Sequence, residues 1–402
     1  MSQSGSDPKA AENATPARGQ FISASMRSRG FLPERDPLIS FPSNSEFAAL
    51  DEIGRDLPSL LQDPGFRAYA RSLDIPLWPE NRVAANDLPE LRLYYLRVGF
   101  LASAYINQVG QEPSRVLPAN LALPLCRACK LLNRPPILSY DGYALYNWKR
   151  FHKDGPIALG NIDTAQNFVH LYDEHWFILV HVEIEAIAAR ILDAIATVQE
   201  ALDANAPGPV TANAHTIDDA VGDIAGAINE QVRVLRRIPE KMDPALYYKT
   251  FRPYIRFFEN VEYEADVEGA RVAAGSAARL RISFRGETGA QSSIMPLLVA
   301  FMKIPHRTSM LTAHLVDMRN YMPAEHRALI AAVEAMPSIR AMASKQNYNA
   351  VLDAMAEFRS VHYEWAQEYI NRRTDDPRGT GGTPYMQWLK QLIDETVAFK
   401  ID

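Results

Sequence analysis

Six positions in the last third of the chain, Val351, Met355, Phe358, His362, Ala366 and Tyr369, follow one another at steps of four, three, four, four and three residues. That spacing places them on one face of a helix and sets His362 in the middle of an apolar stripe. A neutral imidazole is tolerated inside a protein when both nitrogens find partners, so a core histidine is one reading. The other is an axial ligand to haem iron, which needs a neutral imidazole on a rigid helix between apolar walls. A second face, Phe177, His181, Ile184, Ala188, Ile191 and Ile195, repeats the pattern with His181 among aromatic and aliphatic neighbours. A core or interhelical hydrogen bond is its plain reading, and a polar group on the far side of a planar cofactor is the sharper one. The remaining histidines, His152, His170, His175, His215, His306, His314 and His326, show no HExxH spacing, so a zinc hydrolase is not expected.

A cation stands among aromatics in Tyr247-Tyr248-Lys249-Thr250-Phe251-Arg252. Tyr248 and Arg252 are one helical turn apart, so an inward Arg252 would lie against the tyrosine ring and clamp a carboxylate, or else sit in a structural ion pair. Gly379-Thr380-Gly381-Gly382-Thr383 runs toward a capped helix. Such a loop suits an anion through its backbone N–H groups, but it lacks the lysine of a phosphate loop, and by itself it signals a linker or a lid. Cys126 and Cys129 form a CxxC with no second pair to complete a zinc site. Leu123, Leu125, Leu131 and Leu132 around them suggest a half-buried helix carrying two inert thiols. Two cysteines in 402 residues make the reducing cytosol the expected compartment.

The elements that must position these groups are helical. Apolar recurrence at three and four predicts helices over about 45–62, 88–109, 117–132, 174–204, 215–238, 244–258, 292–303, 323–336, 346–372 and 384–398, hence an all-α fold. Asp243-Pro244 and Thr383-Pro384 each place a capping side chain before a proline suited to the first helical position. Arg134-Pro135-Pro136-Ile137, Gly155-Pro156 and Gly160 interrupt the pattern and divide a smaller N-terminal unit, 21–155, from a larger one, 156–402. Residues 1–20, rich in Ser, Ala, Asp and Asn, read as a disordered tail that is neither a signal peptide nor an anchor. Irregular stretches are expected at Val261 to Gly289, where Leu280, Ile282 and Phe284 alternate, and at Arg373 to Gly382. A chain that is 47% hydrophobic, with 42 basic and 48 acidic residues, buries a large core and is not disordered. Its formal charge of -6 gives no general attraction for nucleic acid, and no uninterrupted apolar stretch is long enough for a membrane span.

Five ordered segments carry a resemblance: Arg134 to Tyr140 with Asn147-Trp148; Gly286-Glu287-Thr288-Gly289-Ala290-Gln291-Ser292-Ser293; Met318 to Pro323 with His326-Arg327; Phe358-Arg359-Ser360-Val361-His362; and Gly379 to Thr383. In that order they resemble the indoleamine 2,3-dioxygenase family, from about residue 45 to the C-terminus, and a bacterial-type member in particular. The resemblance implies an all-α protein with a small N-terminal and a large C-terminal domain that binds haem b. It implies opening of the indole ring of tryptophan with dioxygen to give N-formylkynurenine, and an electron donor to keep the iron ferrous. It makes His362 the proximal iron ligand, with Arg359 on the same helix among the cofactor residues, and Arg252 the holder of the substrate carboxylate. Tyr247 and Tyr248 stand where the family has a phenylalanine pair, Tyr140 and Tyr143 on the distal wall, Gly289 and Ala290 in the small-residue turn at the haem edge, and Thr380 in the loop over the substrate. His181 falls where vertebrate members carry a serine, on an alignment anchored by Glu185, and resembles the distal histidine of tryptophan 2,3-dioxygenases that bonds the indole N–H. Val299 replaces an acidic residue of vertebrate members. Related enzymes monooxygenate or rearrange other indoles, so a monooxygenase, a different indole, or a haem sensor or carrier are the alternatives.

Overall fold

The computed structural model describes residues 21–203, 210–264, 281–374, 378–380, 382 and 385–402. Helices dominate: α1 (Ala24–Arg29), α2 (Ala49–Leu60), α3 (Phe66–Ser72), α4 (Leu88–Ile106), α5 (Ala119–Leu131), α6 (Tyr172–Asp203), α7 (Val210–Leu235), the single turn α8 (Pro244–Leu246), α9 (Ile294–Met302), α10 (Met310–Arg319), α11 (Ala324–Glu334), α12 (Lys345–Tyr369) and α13 (Tyr385–Ala398). The three longest share a spine, since α6 and α12 each pack along α7. Trp176 of α6 and Trp365 of α12 donate their indole N–H groups to the Arg237 and Leu235 carbonyls, at 2.9 and 3.1 Å, beside the last turn of that spine. These bonds satisfy carbonyls that a helix end leaves open, and so fix where the flanking helices cross it.

Buried apolar residues gather into two cores. One joins α2 to α5 around Trp78, Phe47 and Tyr94 and reaches Ile178, Leu179 and Val182 of α6 and the Tyr254 to Tyr263 segment. The other fills the space between α6, α7, α9, α11 and α12 and takes in Ile22 and Phe31. Strands are short. β1 (Val116–Leu117) runs parallel to β4 (Phe258–Tyr263), which pairs antiparallel with β5 (Arg281–Phe284), while β2 (Trp148–Arg150) and β3 (Ile162–Thr164) form a small antiparallel pair. The alternation at Ile282 and Phe284 therefore belongs to a strand, and the all-α class holds with these two small sheets as additions.

The stretch expected as one helix over 244–258 departs from that pattern. Asp243 caps it through N–H bonds from Ala245 and Leu246 at 2.7 and 2.9 Å, as its sequence foretells. After α8 the backbone widens into a π turn, Tyr247–Phe251, tightens into a 3-10 turn, Arg252–Ile255, and leaves as β4. Pro253 contributes: it has no N–H to give and its ring crowds the carbonyl one turn back, which favours a break here, although α2 and α5 accommodate Pro58 and Pro124 within their lengths. α10 also lies where no helix is expected, because Met310 and Val316 face solvent and blur its periodicity; a capping box at Ser309 and Thr312 starts it. The Thr383-Pro384 cap lies outside the described residues.

Candidate active site

His362 projects from the middle of α12, whose start is capped by Ser344 accepting from the Asn347 N–H. Its ring keeps accessible surface although its stripe neighbours Val351, Met355, Ala366 and Tyr369 are buried. Even so, the surrounding protein lowers its pKa to about 4 by burial, with a further push from the nearby His181. A side chain both desolvated and accessible lines an internal recess. Neither ring nitrogen has a hydrogen-bond partner among the described residues, so at neutral pH the imidazole is uncharged with a lone pair to offer.

His181 comes from α6, close enough to His362 for their charges to interact. Its Nδ1 lies 2.7 Å from the Phe177 carbonyl, and since a carbonyl only accepts, Nδ1 carries the proton and Nε2 is left as an acceptor. Burial holds its pKa below the usual histidine range, although that bond opposes the shift. Aromatic rings close in on it: Phe177 at 4.6 Å and Tyr140 at 6.0 Å between centroids, with Tyr247 5.5 Å beyond Phe177.

The tyrosine wall stands on a second π turn, Asp141–Leu145. A buried ion pair between Arg134 and Asp141 locks its approach, with the guanidinium over the Tyr95 ring and the Tyr95 hydroxyl bridging the Ile137 carbonyl and the Ser139 N–H at 2.9 Å each. Tyr140 donates its hydroxyl to Glu185 Oε1 at 2.8 Å, and Ser292 donates to the same oxygen at 2.6 Å. Tyr143 donates to Glu174 Oε1 at 3.0 Å, and that carboxyl also accepts from the Phe168 and Val169 N–H groups. Burial lifts both carboxyls to about 7 against these donors and pushes both phenols up. Nothing in the residue spacing announces Glu174 as a partner, since Asp173 and His175 flank it in the polar first turn of α6.

Arg252 is 4% accessible, and no carboxylate among the described residues pairs with it. Its guanidinium lies 5.0 Å over the half-buried Tyr248 ring, as the spacing foretells, touches the Tyr247 hydroxyl, and donates weakly, at 3.4 Å, to the Arg378 carbonyl; its Nε has no partner. A buried cation without a counter-charge carries a desolvation penalty of several kcal/mol, so this geometry is suited to an incoming anion. Arg378, Thr380 and Gly382 lie beside the same segment: Thr380 is buried, its carbonyl accepts from the Phe257 N–H at 3.0 Å, and Gly382 takes a positive φ of 79°. Gly289 is exposed and a methyl there would meet nothing within 4 Å, while Ala290 is half-buried beside it. Arg359 turns elsewhere, donating to the Leu392 carbonyl at 3.0 Å and to Thr396 of α13.

The CxxC pair stays outside this constellation. Burial pushes the Cys126 thiol up to about 12 and Cys129 higher than its normal range, so both remain protonated and neither is an activated nucleophile. No group of three His, Cys, Asp or Glu able to hold a metal occurs among the described residues. A donor set of one free imidazole with apolar walls fits a metal that brings its own macrocycle, and the residues present fit a haem.

Fold and site together define a helical protein with one free imidazole able to hold a haem iron and a buried arginine suited to an anion. The model of the indoleamine 2,3-dioxygenase family matches residues 24–399. The chain is 29% identical to the indoleamine 2,3-dioxygenase of Saccharomyces cerevisiae over 92% of its length and 91% of the relative's. It is 29% identical to human indoleamine 2,3-dioxygenase 2, covering 86% and 87%, and 25% identical to a 6-hydroxytryptophan 2,3-dioxygenase of Fusarium equiseti, covering 92% and 94%. The chain belongs to the indoleamine 2,3-dioxygenase family, whose enzymes are haem-dependent dioxygenases.

Proposed function

We propose that the chain inserts both atoms of dioxygen across the C2–C3 bond of an indole, with L-tryptophan the substrate, N-formylkynurenine the product and haem b the cofactor. The observation that carries this reading is a neutral, unpartnered His362 beside a second neutral histidine and a buried arginine that lacks a counter-ion. His362 would hold the iron, and the haem, kept ferrous by an electron donor, supplies the centre at which dioxygen is activated. Arg252 binds the carboxylate in a bidentate pair, and Tyr247 and Tyr248 flank it. The His181 Nε2 accepts the indole N–H and so fixes which edge of the ring points inward. Tyr140 and Tyr143 stiffen the wall through Glu185 and Glu174, Gly289 and Ala290 leave room at the cofactor edge, and Thr380 closes the entrance against water. Positioning, rather than a strong base, is what these groups contribute. Arg359 acts on the cofactor side by anchoring α12 to α13. The same reading divides the chain into a cap, 21–155, carrying the tyrosine wall, and a catalytic unit, 156–402, working in the cytosol; no described helix is long and apolar enough to cross a membrane.

Reconstitution with hemin tests the proposal. The expected protein is red, with a Soret band that moves on reduction and on CO binding, and His362→Ala releases the haem. Aerobic incubation with tryptophan should yield a product heavier by two oxygen atoms. A gain of one oxygen would make it a monooxygenase, and haem binding without any indole turnover would make it a sensor or carrier.

A further inference from the structure

Gly286 and Glu287 form a turn that ties the tyrosine wall to the arginine segment. Gln291 accepts from the Tyr140 N–H at 2.9 Å and donates to the Gly286 carbonyl at 2.9 Å, and the Glu287 N–H reaches the Ile255 carbonyl at 3.0 Å, three residues after Arg252. The Glu287 side chain is 3% accessible, yet no donor or cation among the described residues meets its carboxyl. It is near enough to Tyr140, Tyr143 and Tyr247 that its charge would raise all three phenols, whereas Arg252 does not pair with it. The carboxyl therefore lies near the ring tyrosines without an ion pair to the guanidinium.

The other polar groups here are already engaged. Tyr140 and Ser292 share one Glu185 oxygen, and the other Glu185 oxygen, though it has no partner, has no accessible surface to offer a ligand; Tyr143 is bonded to Glu174; and the Tyr247 hydroxyl meets Arg252. An unpaired buried polar group lowers stability, so a carboxyl kept in this position calls for a ligand atom to bond. Burial alone lifts it to about 8, so at pH 7 it is protonated and offers both a donor and an acceptor. The tryptophan ring has a single polar atom, its N–H, and the His181 Nε2 satisfies that.

We propose that Glu287 is a specificity-determining residue that hydrogen-bonds a hydroxyl group on the benzene ring of the substrate, so that ring-hydroxylated tryptophans are preferred over tryptophan itself. The inference rests on the reading of His181 and Arg252 as the substrate pocket. Its test compares kcat/KM of the holoenzyme, Glu287→Gln and Glu287→Leu for tryptophan, 5-hydroxytryptophan, 6-hydroxytryptophan and indole-3-propionate, with thermal melts alongside. The expected result is a wild-type preference for at least one hydroxytryptophan, lowered about tenfold or more in Glu287→Leu and largely kept in Glu287→Gln, because a site built to bond a hydroxyl discriminates by that bond. Glu287→Leu should melt no lower than wild type, which removes misfolding as the cause. A wild type that favours no hydroxytryptophan overturns the inference alone. So does an equal loss on tryptophan and the hydroxytryptophans with indole-3-propionate spared, which would give Glu287 to the substrate ammonium. A holoenzyme that oxygenates no indole at all would instead overturn the functional reading.

Discussion

Arg252 is the clearest residue-level statement in the molecule, because burial and isolation act together there. A bidentate, charge-assisted bond to a carboxylate is worth about 1.5–3 kcal/mol, which translates into roughly 10- to 150-fold in kcat/KM. Arg252→Ala should lose that much with tryptophan and little with 3-methylindole, which has no carboxylate to clamp; steady-state kinetics on the two substrates decides it, and equal losses would point to a structural role. His181 and His362 were legible from spacing because each interrupts a long apolar stripe, and helical period is the strongest signal a sequence carries. Their neutrality was not. It depends on the Phe177 carbonyl for one ring and on surrounding protein for both, and neither follows from neighbours along the chain. Glu287 was still harder to read, since its isolation is decided by tyrosines far away in sequence.

Two π turns carry the tyrosines, one at Asp141–Leu145 and one at Tyr247–Phe251, and the Gly286-Glu287 turn braces them together. That brace depends on one missing methyl. A Cβ at Gly286 would stand 2.4 Å from the Ile255 carbonyl oxygen and the Arg256 carbonyl carbon and 2.5 Å from the Phe257 nitrogen, all backbone that cannot step aside cheaply. Gly286→Ala should therefore destabilise by about 1–3 kcal/mol, the usual range for overpacking, and weaken tryptophan binding by displacing the Arg252 segment. Gly289→Ala, three residues on with open space at its Cβ, should melt like the parent, so parallel melting curves for the two variants check the claim. Elements with long, clean periodicity, such as α4, α6 and α12, fall where the sequence puts them. The stretch from Tyr247 to Tyr263 does not, because Pro253 disfavours continuing the α-helix that its aromatics would favour, and β4 forms by pairing with β5 on one side and on the other with β1, about 145 residues earlier. Pairings across such distances leave no local mark.

At the scale of the whole molecule, two apolar cores meet along α6, and the carboxyls buried by that meeting give stability an unusual dependence on pH. Glu174 and Glu185 titrate near 7 and Glu287 near 8 in the folded chain, against about 4.5 when exposed. Between pH 4.5 and 8 the folded state thus holds more protons at these sites than the unfolded state, and their contribution to stability falls as pH rises. His314 and His326 act oppositely: burial lowers each to about 4 from 6.5, so the unfolded state holds more protons between pH 4 and 6.5, and stability rises with pH across that window. Asp36, where hydrogen bonds from Arg150 and Arg29 outweigh burial, adds to the loss on the acid side. Below pH 6.5 the two sets offset one another, and above it only the carboxyls still change. The apoprotein should accordingly melt at a lower temperature at pH 8.5 than at pH 6.5, and Glu185→Gln or Glu287→Gln should shrink the difference. Calorimetric melts of the three proteins across pH 5–9 measure it directly. A melting temperature that held or rose above pH 6.5 would mean that the buried carboxyls between the two cores are already ionised, and with that the neutral, hydrogen-bonding state of Glu287 would be lost.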